Sequence, residues 1–248
     1  MSRRNEVILE AQGLTKLFGG SAALKDVSFS AAAGEILGLI GPNGAGKTTL
    51  LNLLSGVLQP NSGKVLFRGR DLSGLKPHAI ARLGIARTLQ TPHSFPSMTV
   101  LENVAVGALF GQPHRPASVA AAARQVEPLL DLMSLAGRRD SPVANLNLQA
   151  RKTVELARAL AMGPRIVLID EAMSGLNPAE IEQSMRLIRR VRDEMGVTII
   201  WVEHVVKAIM EVVERIIVLD FGRVIATGNP SEIACNSAVI EAYLGTRA

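Results

Sequence analysis

Residues 41–48 read Gly-Pro-Asn-Gly-Ala-Gly-Lys-Thr and match the pattern G-x-x-x-x-G-K-[ST]. A short apolar run at 35–40 precedes them, and leucines at helical spacing follow them as far as Gly56. Glycines between a strand and a helix let successive backbone N–H groups surround phosphate oxygens, and the helix N-terminus adds a positive dipole. The pattern therefore predicts a phosphate-binding loop in which Lys47 holds the β- and γ-phosphates and the hydroxyl of Thr48 binds Mg²⁺.

Strand patterns alternate with helix patterns on both sides of this loop, which predicts an α/β fold with a largely parallel sheet. A different segment, residues 90–162, is rich in prolines and alanines, is predicted to be mostly helical, and offers Ser118 as an N-cap. We therefore expect residues 1–89 and 163–248 to form a core that this helical insertion interrupts. Strands are predicted at 7–12, 22–29, 35–40, 64–68, 166–169, 197–202 and 216–219, helices at 47–55, 178–195 and 205–213, and a hairpin turn at 221–222.

Composition excludes several other classes of protein. Of the 248 residues, 48% are apolar and 3% aromatic, and the mean hydropathy is +0.24, yet every apolar run is far shorter than the ~20 residues of a spanning helix. The first ten residues do not suggest a secretion signal, and the single Cys235 cannot form an intrachain disulfide. The net charge of +5 is compatible with nucleic acid or phosphorylated ligands, but the scarcity of aromatic residues argues against binding of single strands.

Polar residues with possible catalytic roles follow two of the apolar strands. Asp170 and Glu171 come at the end of the run 166–169, where ligands bind in open α/β sheets. Asp170 is predicted to bind Mg²⁺, and Glu171 to orient or deprotonate the attacking water; the alternative is a pair of solvated turn acids. His204 follows the run 197–202 and could contact the γ-phosphate or the water, although a lone histidine beside apolar residues is more often structural.

Taken in this order, the motifs resemble the nucleotide-binding subunit of an ABC transporter over essentially the whole chain. The resemblance implies a P-loop NTPase of the ABC ATPase type, with a mainly parallel sheet core, an antiparallel β subdomain and a helical subdomain insertion. It implies four catalytic residues: Glu171 as the catalytic glutamate, His204 as the switch histidine, Lys47 of the phosphate loop, and Gln90. Gln90, which is otherwise only a polar loop residue, would also contact Mg²⁺. Phe18 becomes the aromatic that stacks on adenine, although it could instead be a turn residue packed on the core. The implied ATP-binding residues are Phe18, Gly41, Pro42, Asn43, Gly44, Ala45, Gly46, Lys47, Thr48 and Thr49, with Thr48, Gln90 and Asp170 as the Mg²⁺ ligands.

Within that family, segments 84–90, 98–104, 175–178 and 239–245 are most similar to the ATPases of branched-chain amino acid importers. The resemblance implies ATP and Mg²⁺ as cofactors, a second ABC ATPase subunit and membrane permease subunits as partners, and no nucleic acid. It also implies a cytoplasmic protein held peripherally at the inner face of the cell membrane. The transported solute would be set by other subunits.

The chain departs from the family at the signature L-S-G-G-Q. Its counterpart is Leu146 to Ala150, which reads Leu-Asn-Leu-Gln-Ala and keeps only the leucine; Asn147 there is also a good helix N-cap. Ala172 and Asn177 replace the usual proline and aspartate further on, and Asn177, followed by Pro178 and Glu180, is predicted to be a helix N-cap. The resemblance implies that the signature of one subunit closes over the γ-phosphate held by the phosphate loop of the other. Because this signature is altered, we predict a heterodimer with a paralogue whose signature is intact. The alternatives are a nucleotide-responsive regulatory protein with weak hydrolysis, or a soluble ABC ATPase outside transport, whose usual coiled-coil insertion or tandem cassettes would not fit in 248 residues.

Overall fold

A computed structural model describes residues 6–112 and 116–244. Residues 1–5, part of the segment that does not suggest a secretion signal, lie outside the described residues. So do Pro113 of the predicted insertion and Gly245 of the segment 239–245. The strands are β1 Val7–Phe18, β2 Ser21–Ala32, β3 Ile36–Ile40, β4 Ser62–Phe67, β5 Arg70–Asp71, β6 Ile85–Arg87, β7 Ile166–Asp170, β8 Thr198–Val202, β9 Arg215–Asp220 and β10 Arg223–Gly228. The helices are α1 Lys47–Leu54, α2 Pro77–Leu83, α3 Val100–Gly111, α4 Val119–Leu132, α5 Leu148–Ala161, α6 Pro178–Met195, α7 Val206–Val212, α8 Pro230–Ala234 and α9 Ser237–Leu244.

The chain divides into two compact units, the first made of residues 1–80 and 198–248, and the second of residues 81–197. The first unit contains an antiparallel sheet in the order β2-β1-β4-β5. It also contains β3, which pairs in parallel with both β8 and β9, while β9 pairs antiparallel with β10. Strands β3 and β8 are buried along their whole length, as expected for parallel strands covered on both faces.

The first two strands are longer than the sequence predicts, because both continue through irregular pairing. Gly13 and Asp26 adopt positive φ values of 61° and 54°, and the pairing of β1 with β2 shifts register at several points. A bulge breaks the alternation of apolar and polar residues on which a sequence-based boundary depends. The predicted ends at residues 12 and 29 were therefore wrong by several residues.

In the second unit, β6 pairs in parallel with the fully buried β7, and α3 packs against α4 and α5. Three of its helices begin at predicted N-caps, since the side chains of Ser118, Asn147 and Asn177 each accept a backbone N–H of the first turn. Helix α6 covers the predicted residues and ends at Gly196 with φ 65°. Among the helices within the described ranges, none is both long enough and apolar enough to cross a membrane. An α/β fold with parallel pairing and a separate antiparallel sheet is thus confirmed.

Candidate functional site

The predicted phosphate loop lies in the first unit, between the buried strand β3 and helix α1. Gly41, Gly44 and Gly46 have φ values of 153°, 81° and 104°, which L side chains rarely adopt. Asn43 and Gly44 are exposed, and Ala45 is buried. The sequence folds this way because only glycine permits three such turns within six residues. The result is a curved loop that leads directly into a helix N-terminus, which is the geometry for binding an anion.

Lys47 lies inside this loop, with 6% of its surface exposed. Its ammonium group donates to the backbone carbonyl oxygens of Gly41 at 2.7 Å and Pro42 at 2.9 Å. The loop thereby curls around a positive charge that its own carbonyl groups hold in position. Thr48 follows as an exposed residue in the first turn of α1.

The turn between β9 and β10 supports the loop from the side. Phe221 and Gly222 have consecutive positive φ values of 41° and 78°, as in the tight turns of two-residue hairpins. The N–H of Gly222 donates to the carbonyl oxygen of Ala45 at 3.0 Å. A Cβ atom added to Gly222 would lie 2.6 Å from the carbonyl oxygen of Ala23 in β2. The predicted hairpin is therefore confirmed, and it also restrains the phosphate loop.

Helix α9 contributes a contact that the sequence reasoning missed. The hydroxyl of Tyr243 lies near the backbone amide of Gly41. Burial raises the pKa of this hydroxyl, and the nearby Gly41 amide acts in the opposite direction. The tyrosine stands out in the sequence only as the single Tyr of the chain. Its position links the end of the described chain to the first residue of the loop.

Phe18 and His204 belong to the first unit as well. Phe18 is the last residue of β1, is 50% exposed, and lies 5.5 Å from the ammonium group of Lys16, measured to the ring centroid. An exposed ring at the end of a strand is free to stack on a planar ligand. His204 is exposed just after β8 and follows the buried carboxylate Glu203, which accepts its backbone N–H.

In the second unit, Asp170 ends β7 and is buried. Arg87, the last residue of β6, donates to its carboxylate at 3.0 Å. Both side chains are largely removed from solvent, at 9% and 3% exposed, so their ion pair is screened little by water. The sequence reasoning missed Arg87 as a partner of Asp170, because the two positions are 83 residues apart.

Glu171 is held from two directions. Its φ of 50° is unusual for a residue with a side chain, and such strain clusters at functional sites. The side-chain amide of Gln90 donates to the Glu171 carboxylate, and the ammonium group of Lys152 in α5 donates to its backbone carbonyl at 3.2 Å and to that of Ser174 at 2.8 Å. Two residues that were predicted to be catalytic, Gln90 and Glu171, are therefore in direct contact.

The segment that corresponds to the family signature begins α5. The carboxamide oxygen of Asn147 accepts the N–H of Ala150 at 3.0 Å, which confirms the predicted cap. Leu148 is 42% exposed, and one of its methyl groups would lie 3.1 Å from a Cβ added to Gly175. Gln149 donates to the side chain of Gln183 in α6 at 2.9 Å. Both side chains that replace signature glycines thus contact other parts of the same unit.

Comparison with known proteins gives two sequence-family matches. The family described as "ABC transporter" matches residues 24–174, and the family described as "Branched-chain amino acid ATP-binding cassette transporter" matches residues 223–248. The high-affinity branched-chain amino acid transport ATP-binding protein BraF of Pseudomonas aeruginosa is 36% identical over 96% of this chain and 98% of its own length. The lipopolysaccharide export system ATP-binding protein LptB of Acidithiobacillus ferridurans is 37% identical over 96% of this chain and 97% of its own.

Solved structures show the same fold. A nucleotide-free ATP-binding cassette from an ABC transporter superposes with a TM-score of 0.86 at 28% identity, covering 97% of this chain and all of that one. A dimeric post-hydrolysis state of a cassette bound to ADP and Pi superposes with a TM-score of 0.79 at 26% identity, covering 90% of this chain and 99% of that one.

Proposed function

This chain belongs to the ABC transporter family, and from that premise we propose that it is the ATP-hydrolysing subunit of an importer for branched-chain amino acids or related solutes. The importer assignment is supported by the near full-length similarity to BraF and by the C-terminal match at residues 223–248. LptB, whose name describes export, is about as similar over the whole length. The direction of transport therefore depends chiefly on the C-terminal match.

The arrangement around Glu171 is the observation that carries the proposed hydrolysis. Its backbone is held by Lys152 in a strained conformation, and its carboxylate accepts a hydrogen bond from Gln90. Phosphoryl transfer to water requires mainly positioning and charge stabilisation, so a fixed carboxylate suits the role of orienting the attacking water. Gln90 would keep that carboxylate aligned, and His204 would contact the γ-phosphate or the water.

The nucleotide would bind mainly to the first unit. The backbone N–H groups of residues 41–49 would surround the phosphates, and Lys47 would neutralise the β- and γ-phosphate oxygens. Phe18, half exposed at the end of β1, would stack on the adenine ring. The loop that would bind the nucleotide is already curved by three glycines and is hydrogen-bonded to the β9–β10 turn.

The oxygen donors at the predicted positions fit Mg²⁺, which is typically held by one or two carboxylates together with substrate phosphates and water. Thr48 offers an exposed hydroxyl and Asp170 a carboxylate, and Gln90 is the further predicted contact. When bound, the ion would neutralise negative charge on the phosphates. Arg87 would hold the Asp170 carboxylate in place through its ion pair.

The proposed partners are membrane permease subunits and a second ABC ATPase, which would keep the chain at the cytoplasmic face of the membrane. The altered signature favours a paralogue with an intact signature as that second ATPase. We also retain residues 90–162 as the proposed helical subdomain, since α3, α4 and α5 all lie within that range. Residues 1–89 and 163–248 would then form the ATP-binding core.

A glutamine at position 171 tests the catalytic assignment. Glu171→Gln should leave nucleotide binding unchanged, because the phosphate loop is untouched, and should abolish turnover in a phosphate-release assay. Glu182→Gln is the matched control, since Glu182 is a solvent-exposed carboxylate of the same unit, with 67% of its side chain exposed. Turnover by Glu171→Gln equal to that of the control would remove Glu171 from the catalytic role.

A second candidate, a regulatory protein that binds nucleotide but barely hydrolyses it, is favoured by the side chains at positions 148 and 149. Turnover measured for the chain alone and with its partner distinguishes the two. The heterodimer proposal expects little turnover alone and strong stimulation by the partner. Brisk, cooperative turnover by the chain alone would contradict the heterodimer, and no turnover even with the partner would favour the regulatory function.

A further inference from the structure

The loop that contains Gln90 is held at both of its ends by side chains of α5. Glu155 accepts the backbone N–H of Leu89 at 3.0 Å. One helical turn further along, Arg158 donates to the backbone carbonyl of His93 at 2.6 Å. Gln90 itself is exposed and lies between these two anchored positions. Helix α5 thus determines where the loop begins and ends.

Glu155 would be costly to bury without these contacts. It is only 5% exposed, and a buried carboxylate is tolerated when hydrogen bonds and opposite charges compensate the lost hydration. Burial raises its pKa, whereas the backbone amides of Leu89 and His93 and the charge of Arg158 act in the opposite direction. The Leu89 amide and the charge of Arg158 thus partly compensate the burial of this carboxylate, and the carboxylate in turn fixes the start of the loop.

Arg158 also contacts a residue further along the loop. Its guanidinium lies 5.7 Å from the centroid of the Phe95 ring, in cation–π geometry. The backbone of Phe95 is also fixed by the fully buried Asn103 of α3, which accepts its N–H at 2.8 Å and donates to its carbonyl at 3.0 Å. Residues 89–95 therefore follow the helices of the second unit rather than moving as a free loop.

We propose that Glu155 and Arg158 are positioning residues, which hold residues 89–93 on α5 so that the amide of Gln90 meets the Glu171 carboxylate. The proposal rests on the proposed hydrolytic function. A catalytic group displaced by about 1 Å can lose two orders of magnitude in rate, so a loop that presents an exposed glutamine needs fixed ends. Because α5 begins at the signature position, displacement of this helix would also displace Gln90.

The test compares Glu155→Ala, Glu155→Gln and Arg158→Lys with a control, Gln112→Ala. Gln112 donates to the backbone carbonyl of Ala161 at 2.8 Å, so the control removes a bond of the same kind on the same helix without touching residues 89–95. ATP turnover, KM for ATP, nucleotide binding and melting temperature are measured for the full chain, with its partner ATPase present.

We expect Glu155→Ala to lower kcat by about tenfold or more while the nucleotide dissociation constant stays within about twofold of wild type. The kcat of Glu155→Gln should lie between those of the wild type and Glu155→Ala, because its amide oxygen can still accept the N–H of Leu89 but the negative charge that faces Arg158 is lost. A kcat for Glu155→Ala equal to that of Gln112→Ala would overturn the proposal. The proposal would also be overturned if the loss of kcat in Glu155→Ala were explained entirely by the fraction of that variant that is unfolded.

If Glu155→Ala does not fold, Arg158→Lys decides, because lysine keeps the charge but loses the planar group that lies over Phe95. A reduced kcat with unchanged nucleotide binding supports the proposal, and an unchanged kcat overturns it. Absence of turnover in the wild type with its partner would count against the proposed hydrolysis itself, so the two failures are distinguishable.

Discussion

Replacing Gly41 with alanine should damage the fold and the phosphate loop together. Gly41 has φ 153°, and a Cβ atom there would lie 2.1 Å from the carbonyl oxygen of Leu219. That oxygen belongs to β9, which pairs with β3 on one side and with β10 on the other. Because both neighbours restrain the strand, the carbonyl has little room to retreat, and the loop must move instead.

Two contributions determine how far Gly41→Ala should lower the free energy of unfolding. A side chain at this φ costs about 1–3 kcal/mol of backbone strain, and forcing an extra carbon into a packed site typically costs another ~1–3 kcal/mol. The sum, roughly 2–6 kcal/mol, is a large fraction of the ~5–15 kcal/mol by which domains are stable. Gly34→Ala separates the two contributions, because Gly34 has φ 74° but nothing within 4 Å of an added Cβ.

Urea unfolding followed by tryptophan fluorescence measures the effect. Trp201 is the single tryptophan of the chain and is fully buried in β8, in the same unit as the loop. Gly41→Ala should have a clearly lower midpoint than Gly34→Ala, and it alone should lose nucleotide binding. Equal midpoints would refute the steric argument, and retained binding in Gly41→Ala would show that the loop tolerates the shift.

The remaining predictions concern the second unit. Asn103→Ala should lower the free energy of unfolding in urea by about 2–4 kcal/mol, because this fully buried side chain makes four hydrogen bonds to the backbone of Phe95, Met98 and Thr99; a loss below about 1 kcal/mol would contradict this. Arg87→Ala should lower the free energy of unfolding by about 3–5 kcal/mol, since it removes the ion pair of the buried Asp170 carboxylate. An unchanged urea midpoint would contradict this prediction. Glu155 binds its proton more tightly when folded, because its pKa is raised, so wild-type stability should fall relative to Glu155→Gln as the pH rises above about 4.5. If the free energies of unfolding of the wild type and of Glu155→Gln differ by the same amount from about pH 4 to pH 8, that effect is excluded.

Elements with uniform burial or clear caps were predictable from the sequence. Helix α6 has a regular apolar stripe, a capping box formed by Asn177 and Glu180, and a terminal Gly196, so periodicity and cap chemistry agree on both of its ends. Strand β3 is an uninterrupted apolar run between turn residues. The phosphate loop was predictable because its pattern of glycines has few alternative uses.

Other elements carried no local signal. Strand β6 has only three residues, too few for any periodicity, and was not predicted. The pairing of Arg87 with Asp170 joins positions far apart in the chain, which spacing along one element cannot indicate. Glu155 looks like an ordinary charged residue of an amphipathic helix, and only packing shows that it is buried. The catalytic roles of the individual site residues stay predictions.

In the proposed dimer the phosphate loop of each subunit would face the signature segment of the other, and this chain is unequally suited to the two roles. Its phosphate loop keeps every glycine that the geometry uses, with Gly41, Gly44 and Gly46 at positive φ. At the signature position, Leu148 lies beside Gly175, and Gln149 donates a hydrogen bond to Gln183 of α6. Each nevertheless adds a Cβ atom where the family pattern has glycine, and a Cβ limits how closely phosphate can approach the backbone. This asymmetry supports the proposed heterodimer, in which this chain would provide the complete loop and its partner the complete signature.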